Sequence, residues 1–231
     1  MKRIQRIFLE RSTLAVQAAK REILSEKIES PEVYEALRYF MIEYWRDTTR
    51  PALLSLFSEA VGGRTEVPMP IAVSAILISG AVDIHDDIID ESKTKEGWVT
   101  VFGKFGKDIA LLAADALLFK GLTILLRSVE EGVSHEKLLA IIDVTERTFF
   151  ELGDAEALEL HFRRKIGITP EEYLHVLKKK AAIVEGYAQI GAILGDGSRR
   201  EVRDLGRYGR ILGILIMLRD DLIDLIDVKE A

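Results

Sequence analysis

The spacing of apolar residues is the feature that most limits the folds open to this chain. Apolar side chains recur every three or four residues along nearly all of its 231 positions, and no stretch alternates apolar and polar residues as a half-buried strand does. An amphipathic helix has this spacing because one turn takes 3.6 residues. The sequence therefore predicts an all-α fold, a bundle of helices packed on one another.

Prolines, glycines and capping residues divide this pattern into separate helices. Thr169-Pro170-Glu171-Glu172 and Ser198-Arg199-Arg200-Glu201 are both predicted capping boxes. The predicted helices cover about residues 3–29, 31–49, 51–62, 71–91, 106–130, 134–165, 169–195 and 198 onward, with a loop over 92–104. Because no linker or low-complexity segment separates them, residues 1–231 are predicted to form a single domain.

Composition narrows the class of protein. Hydrophobic residues make up 48% of the chain and charged residues 30%, which is enough for a substantial core. The net charge of −6 argues against nucleic acid as a partner, and the absence of cysteine excludes disulfides and thiol chemistry. The first ten residues lack the apolar segment of a signal peptide, and the run Pro70–Val82 is too short to span a bilayer. We therefore expect a soluble, cytoplasmic protein without a transmembrane segment.

Two acidic motifs with the same pattern, Asp-Asp-x-x-Asp, follow long apolar runs. Their aspartates are Asp86, Asp87 and Asp90 in the first motif and Asp220, Asp221 and Asp224 in the second. On a helix, residues four apart share a face, so the first and last carboxylates of each motif point the same way.

Such crowded carboxylates have two interpretations. An acidic run is usually a solvated helix face, but a second copy of the pattern makes that reading weaker. Oxygen-only ligands are those that Mg²⁺ prefers, and Mg²⁺ usually keeps positions for water and for substrate phosphates. We therefore predict that the two motifs face each other across the bundle and bind a diphosphate through bridging magnesium ions.

Three glycines recur on one face of the last helix, at Gly206, Gly209 and Gly213. Glycine within a helix costs up to about 1 kcal/mol relative to alanine, so these positions need a reason. They indicate either close packing against a neighbouring helix or room for an elongated apolar ligand.

With the motifs placed, the sequence resembles the trans-isoprenyl diphosphate synthases, the polyprenyl synthetase family. His85 before the first motif fits the His-Asp-Asp of the family, and residues 105–118 resemble its Phe-Gly…Gly-Asp-Ala-Leu-Leu stretch. Tyr173 and Lys180-Ala181-Ala182 resemble its Tyr…Lys-Thr-Ala helix. The resemblance covers the chain from about Arg46 to its end and implies an isoprenoid synthase-type helical bundle around a central cavity.

The resemblance implies a specific chemistry. An allylic prenyl diphosphate binds to magnesium held by both motifs, ionises to an allylic cation, and is attacked by isopentenyl diphosphate. It assigns the metal to Asp86, Asp90, Asp220, Asp221 and Asp224, with Asp87 as a further catalytic carboxylate. It assigns the allylic diphosphate to the bases Lys95 and Lys180 and the isopentenyl diphosphate to Arg50, and it implies a homodimer.

The sequence departs from the family at the second diphosphate site. The family motif Gly-Gly-Lys-x-x-Arg-Pro keeps Arg50-Pro51 here, but Asp47 replaces its lysine, with Arg46 as the nearest basic substitute. The pair Arg-Arg after the first motif is Lys95-Glu96, and Ser79 replaces a histidine or glutamine. An acid facing a diphosphate is repulsive. Two alternatives therefore stay open: a class I terpene synthase-like enzyme that uses one prenyl diphosphate, and a non-catalytic partner subunit.

Residues one and two turns before the first motif are predicted to line a pocket for the prenyl tail. These are Ile78, Ala81 and Val82. At the positions of Ala81 and Val82, the resemblance implies that a bulky aromatic would limit chain length, and both residues here are aliphatic. The alternative for Ala81 is ordinary packing against a neighbouring helix. The sequence ends at Ala231, soon after the second motif, and the resemblance implies that the C-terminal helices of the family are missing from it.

Overall fold

The part of the protein that the structure describes is mainly helical, as the apolar spacing predicts. The computed structural model describes residues 2–95, 97–163 and 165–227, and within these the side chains of residues 3–223. The helices are α1 (Lys2–Leu24), α2 (Pro31–Tyr39), α3 (Thr49–Ala60), α4 (Met69–Ile89), α5 (Val101–Phe105), α6 (Lys107–Arg127), α7 (His135–Phe162), α8 (Pro170–Lys180), α9 (Ala182–Leu194) and α10 (Arg199–Asp227). A π-helical turn (Phe40–Tyr44) follows α2 and a 3-10 turn (Ser128–Glu131) follows α6. In the loop after α4, strands β1 (Thr94–Lys95) and β2 (Trp98–Val99) pair antiparallel.

The described residues divide into two compact units. The first contains Met1–Ala52 and Val67–Ser134, and the second contains Leu53–Glu66 and His135–Ala231. The prediction of a single domain over the whole chain stays a prediction.

In the first unit, α4 packs lengthwise against α6, while α1 packs on α4 and α2 on α6. The centre of this core is fully buried and includes Phe40, Leu77, Ile84 and Leu117. Burying a side chain of this size stabilises the fold by roughly 1.5–3 kcal/mol. The first acidic motif therefore lies at the end of a helix whose position is fixed by its apolar residues.

In the second unit, α9 packs against both α7 and α10, and α8 packs against α7 and α10. The three glycines of α10 lie at its contact with α9. A Cβ on Gly209 would lie 2.7 Å from the carbonyl oxygen of Val184 and 2.8 Å from Ala188 Cβ. A Cβ on Gly213 would likewise lie 2.9 Å from Ala181 Cβ. The glycines thus serve close helix packing, and the alternative of room for an apolar ligand at these three positions is wrong.

Both predicted capping boxes are confirmed at the starts of α8 and α10. In the capping box at Thr169, the hydroxyl accepts from Glu172 N at 3.2 Å and Glu172 Oε2 accepts from Thr169 N at 3.0 Å. Ser198 and Glu201 make the same pair of bonds at the start of α10. Both boxes satisfy backbone N–H groups that the first turn of a helix leaves without partners.

Helix α6 and the turn after it include a segment that sequence analysis missed. Lys107–Glu131 is long and apolar enough to cross a membrane by length and composition alone. Its residues Ala113, Leu117 and Gly121 are buried, and the helix packs against α4. Core helices of soluble proteins pass the same test, so the segment is weak evidence for a membrane span.

Candidate functional site

The first acidic motif closes helix α4. Asp86 and Asp87 lie in its last turn, and Asp90 is the residue that caps it, donating its N–H to the carbonyl of Asp86 at 2.8 Å. Glu91 then adopts a positive φ of 54°, which ends the helix. Carboxylate oxygens of Asp86 and Asp90 lie within 4.8 Å of each other, as expected for residues four apart on one face.

Asp87 points the other way and is buried, with 1% of its surface exposed. Tyr44 donates its hydroxyl to Asp87 Oδ2 at 3.4 Å, and among the described residues Oδ1 has no hydrogen-bond partner. Burial is the main cause that raises the pKa of Asp87 to about 6; the charges of Asp86 and Asp83 act in the same direction, and Lys95 and the Tyr44 hydrogen bond oppose them. The same motif therefore contains one buried carboxylate and two that reach solvent.

Lys95, on strand β1, lies against the motif. Its Nζ is 3.3 Å from Asp86 Oδ2 and 3.7 Å from Asp87 Oδ1. Desolvation lowers the pKa of Lys95, but the carboxylates of Asp86, Asp87 and Asp83 outweigh it, and the pKa is raised. The base that the resemblance assigns to the allylic diphosphate is thus fully charged and neutralises motif carboxylates.

Arg50 also has carboxylate partners. Its two terminal nitrogens donate to both oxygens of Asp83 at 2.8 and 2.9 Å, and its Nε lies 3.2 Å from Asp47 Oδ2. Arg46, the possible basic substitute at this site, instead stacks on Trp98 with its guanidinium carbon 3.6 Å from the ring centre.

The second acidic motif lies near the end of α10. Asp220 is about half exposed and its Oδ1 accepts from the neighbouring Arg219 at 2.5 and 2.9 Å. The carboxylate of Asp221 accepts a hydrogen bond from the hydroxyl of Tyr173 on α8. Burial, this hydrogen bond and the charge of Asp221 raise the pKa of Tyr173 to about 12. Asp224 lies in α10, but its side chain is outside the described ones.

Lys180, at the C-terminal end of α8, contacts two glutamates of α7. Its Nζ lies 3.0 Å from Glu156 Oε1 and also contacts the carboxylate of Glu159. Desolvation opposes the charge of Lys180, but the two glutamates prevail and its pKa is raised. Glu159 also helps to raise the pKa of Tyr173, which places Lys180, Tyr173 and Asp221 in one electrostatic network within the second unit.

Sequence analysis missed three acidic residues of these networks. Asp83 lies three and four residues before the first two motif aspartates, so helical spacing alone could have placed it beside them. Glu156 and Glu159 lie three apart on α7, a spacing that puts both carboxylates on one face. Nothing in the sequence pairs them with Lys180, because that pairing depends on how α7 and α8 pack.

The predicted tail-pocket residues lie on the buried part of α4. Ala81 is fully buried in the core of the first unit, and Ile78 is 9% exposed and packs over Gly121 of α6. Val82 is half-buried. These contacts favour packing for Ala81 and Ile78, and their predicted contact with a prenyl tail stays a prediction.

The first motif fits a magnesium ion by its chemistry. Asp86 and Asp90 offer oxygens that lie within 4.8 Å of each other, so these two residues would hold the ion. Only oxygen ligands are offered, which suits Mg²⁺ rather than Zn²⁺. The prediction that this motif faces the second one across a cavity stays a prediction.

The chain is similar in sequence to a known protein family and to curated proteins. A family model described as Polyprenyl synthetase matches residues 31–231. The geranylgeranyl diphosphate synthase of Methanosarcina mazei is 34% identical over 201 residues, which cover 87% of this chain and 61% of that protein. The short chain isoprenyl diphosphate synthase of Methanothermobacter thermautotrophicus is 32% identical over 183 residues, covering 79% and 55%. This chain thus spans 55–61% of the length of these two curated relatives.

Solved structures show the same similarity in three dimensions. The geranylgeranyl pyrophosphate synthetase of Pyrococcus horikoshii matches with a TM-score of 0.85 at 28% identity, over 96% of this chain and 67% of that one. The enzyme of the same name from Geoglobus acetivorans matches with a TM-score of 0.84 at 26% identity, over 94% and 70%. The fold is therefore the all-α isoprenoid synthase fold.

Proposed function

The chain belongs to the polyprenyl synthetase family, and from that premise we propose that it is a magnesium-dependent trans-prenyltransferase. Its substrates in this proposal are an allylic prenyl diphosphate and isopentenyl diphosphate. The observation that carries the proposal is the carboxylate pair of Asp86 and Asp90, within 4.8 Å, at the end of a buried helix. The curated relatives bear the names of prenyl diphosphate synthases, which supports the same chemistry.

The proposed metal ligands are Asp86 and Asp90 from the first motif and Asp220, Asp221 and Asp224 from the second. When bound, magnesium neutralises the charge that develops on the leaving diphosphate. Tyr173 would orient Asp221, since its hydroxyl already donates to that carboxylate.

The bases of the site would exchange partners when substrate binds. Lys95 neutralises Asp86 in this structure, at 3.3 Å. A metal ion on Asp86 would take over that neutralisation, and Lys95 would then be available to a diphosphate oxygen. Lys180 is held by Glu156 and Glu159 and stays charged, so we propose that it provides the second contact to the allylic diphosphate. Buried Asp87 would act through Lys95 and Tyr44.

A second candidate function has one observation in its favour. Arg50 is paired with Asp83 and Asp47 and stands where the family binds isopentenyl diphosphate. A class I terpene synthase-like enzyme ionises one prenyl diphosphate and needs no second anion site.

A homodimer is part of the proposal. Helix α6 exposes Leu112, Phe119 and Leu126, which are 53%, 71% and 55% exposed and lie seven residues apart. Seven-residue spacing puts them on one face, and an apolar stripe of this kind suits a second copy of the chain. We also infer a cytoplasmic location. A chain without cysteine is compatible with a reducing compartment.

Product analysis separates these functions. The purified chain is incubated with farnesyl or geranylgeranyl diphosphate, with Mg²⁺ or with a chelator, and with or without labelled isopentenyl diphosphate. A longer labelled prenyl diphosphate, formed only with Mg²⁺, is the expected result. A hydrocarbon or alcohol formed without isopentenyl diphosphate would instead support the second candidate. No turnover of either kind contradicts both enzymes and leaves the non-catalytic partner subunit.

A further inference from the structure

Arg50 makes a bidentate charge-assisted contact with Asp83 in the first unit. Both terminal nitrogens donate to the two oxygens of Asp83, at 2.8 and 2.9 Å, in the parallel geometry that makes arginine–carboxylate pairs strong. The third nitrogen lies 3.2 Å from Asp47 Oδ2. The side chains of all three residues are between 23% and 29% exposed, so solvent screens the contact only partly.

The cluster carries a net negative charge, because two carboxylates surround one guanidinium. Asp47 is fixed there by a second role, since its Oδ1 accepts from the backbone N–H of Thr49 at 2.7 Å at the start of α3. Asp83 is fixed by helix α4. A diphosphate that approached Arg50 would displace Asp83 and would meet two carboxylates at close range.

The charge of Asp83 also acts on residues in and beside the first motif. Its charge raises the pKa of both Asp87 and Lys95. Asp83 is thus a fourth carboxylate beside a motif that already has three, and its charge is compensated by Arg50.

We propose that Asp83 determines substrate specificity, as an internal carboxylate that occupies Arg50 in place of the second diphosphate. It weakens the binding of isopentenyl diphosphate and leaves the allylic diphosphate unaffected. The inference rests on the proposed function, because it assigns Arg50 to the second substrate. A purely structural role, in which the pair only joins α3 to α4, predicts lost stability on substitution and no gain in affinity.

The test measures the second substrate alone. The intact protein is saturated with Mg²⁺ and farnesyl thiolodiphosphate, an analogue that does not ionise, and isopentenyl diphosphate is titrated in by calorimetry. Asp83→Asn keeps the shape of the side chain and removes its charge, so the dissociation constant of isopentenyl diphosphate should fall by about tenfold or more. Asp83→Glu restores the charge and should bind isopentenyl diphosphate as weakly as the native protein.

Two further variants complete the design. Asp47→Asn removes the other charge but keeps a residue that caps α3 well, and it should also tighten binding. Glu43→Gln is the control, because it removes one charge from the same unit while the partner of Glu43 is Arg38, 3.1 Å away. It should leave the dissociation constant within about twofold of native, since the charge that it removes faces a different guanidinium.

The outcomes separate this inference from the proposed function. Binding of farnesyl thiolodiphosphate that depends on Mg²⁺ in every variant, with isopentenyl diphosphate tightened only by Asp83→Asn and Asp47→Asn, supports the inference. Equal affinity of native protein and Asp83→Asn for isopentenyl diphosphate overturns it, even when the allylic analogue binds. Failure of the native protein to bind the allylic analogue contradicts the proposed function itself.

Discussion

Three aspartates with one sequence pattern have different environments in the first motif. Asp86 and Asp90 reach solvent and offer oxygens to a metal ion, whereas Asp87 is buried with Tyr44 and Lys95 around it. The difference follows from the helix, because Asp87 faces the core side of α4 and Asp86 and Asp90 share another face. The three aspartates of one motif therefore differ in burial and in their charged neighbours.

The burial of Asp87 has a measurable consequence for stability. Its pKa is about 6 in the folded protein and 3.8 in an ordinary exposed carboxylate, so between these values the folded state binds more protons than the unfolded state. The free energy of unfolding must then fall as pH rises from about 4 to about 6. In the metal-free protein, Asp87→Asn should raise the free energy of unfolding by about 2–3 kcal/mol at pH 7 and by little at pH 4.

Urea unfolding at pH 4 and at pH 7 measures this difference. Asp143→Asn changes an exposed aspartate in the same way and should stay within about 0.5 kcal/mol of native at both pH values. The difference in the free energy of unfolding between Asp87→Asn and the native protein should be larger at pH 7 than at pH 4. An equal difference at both pH values would contradict the raised pKa of Asp87.

The sequence predicts which residues form the motifs but not what they are paired with. Asp-Asp-x-x-Asp is a local pattern, and helical spacing is enough to group its carboxylates. The partners Arg50–Asp83 and Lys180–Glu156 join different helices, and only tertiary packing brings them together. Helical spacing therefore predicts the grouping of the motif aspartates, but not the carboxylates Asp83 and Glu156 that balance the charges of Arg50 and Lys180.

At the scale of elements, capping residues in the sequence predict where helices begin. The breaks inside two predicted helices were not predicted. The capping boxes at Thr169 and Ser198 mark the starts of α8 and α10 as predicted. The helix predicted over 31–49 instead ends in a π-helical turn, where Trp45 N donates to Phe40 O at 2.7 Å. The helix predicted over 169–195 is divided at Ala181, and no turn-forming residue marks that break.

The contact between α9 and α10 depends on glycine, and this too is testable. Gly209→Ala would place a methyl group 2.7 Å from the carbonyl oxygen of Val184, which requires the helices to move apart. We expect it to lower the free energy of unfolding by about 1–3 kcal/mol. Gly153→Ala on α7 meets nothing within 4 Å and should raise stability by about 0.5–1 kcal/mol.

Chemical denaturation of the two glycine variants gives both values. Because each substitution adds the same methyl group to a helix, the sign of the difference isolates the close approach. Stabilisation by both variants would show that α9 and α10 do not need glycine at this position.

At the scale of the whole molecule, the proposed dimer is a separate claim from the proposed chemistry. Phe119→Asp places a charge in the exposed apolar stripe of α6 and should convert the dimer to monomer by sedimentation analysis, with the helix content unchanged. Leu14→Asp changes a residue on α1 that is 67% exposed, close to the 71% of Phe119, and should leave the dimer intact. Native protein that sediments as a monomer at all concentrations would contradict the dimer.

The central claim is that both acidic motifs hold magnesium for a prenyl diphosphate. The most direct measurement is the affinity for farnesyl thiolodiphosphate by calorimetry, with and without Mg²⁺, in native protein, Asp86→Ala and Asp220→Ala. Asp108→Ala, another exposed aspartate at a helix end, is the control. Native protein and the control should bind only with Mg²⁺, and each motif variant should lose that binding while staying folded. Unchanged Mg²⁺-dependent affinity in Asp86→Ala or Asp220→Ala would contradict the account.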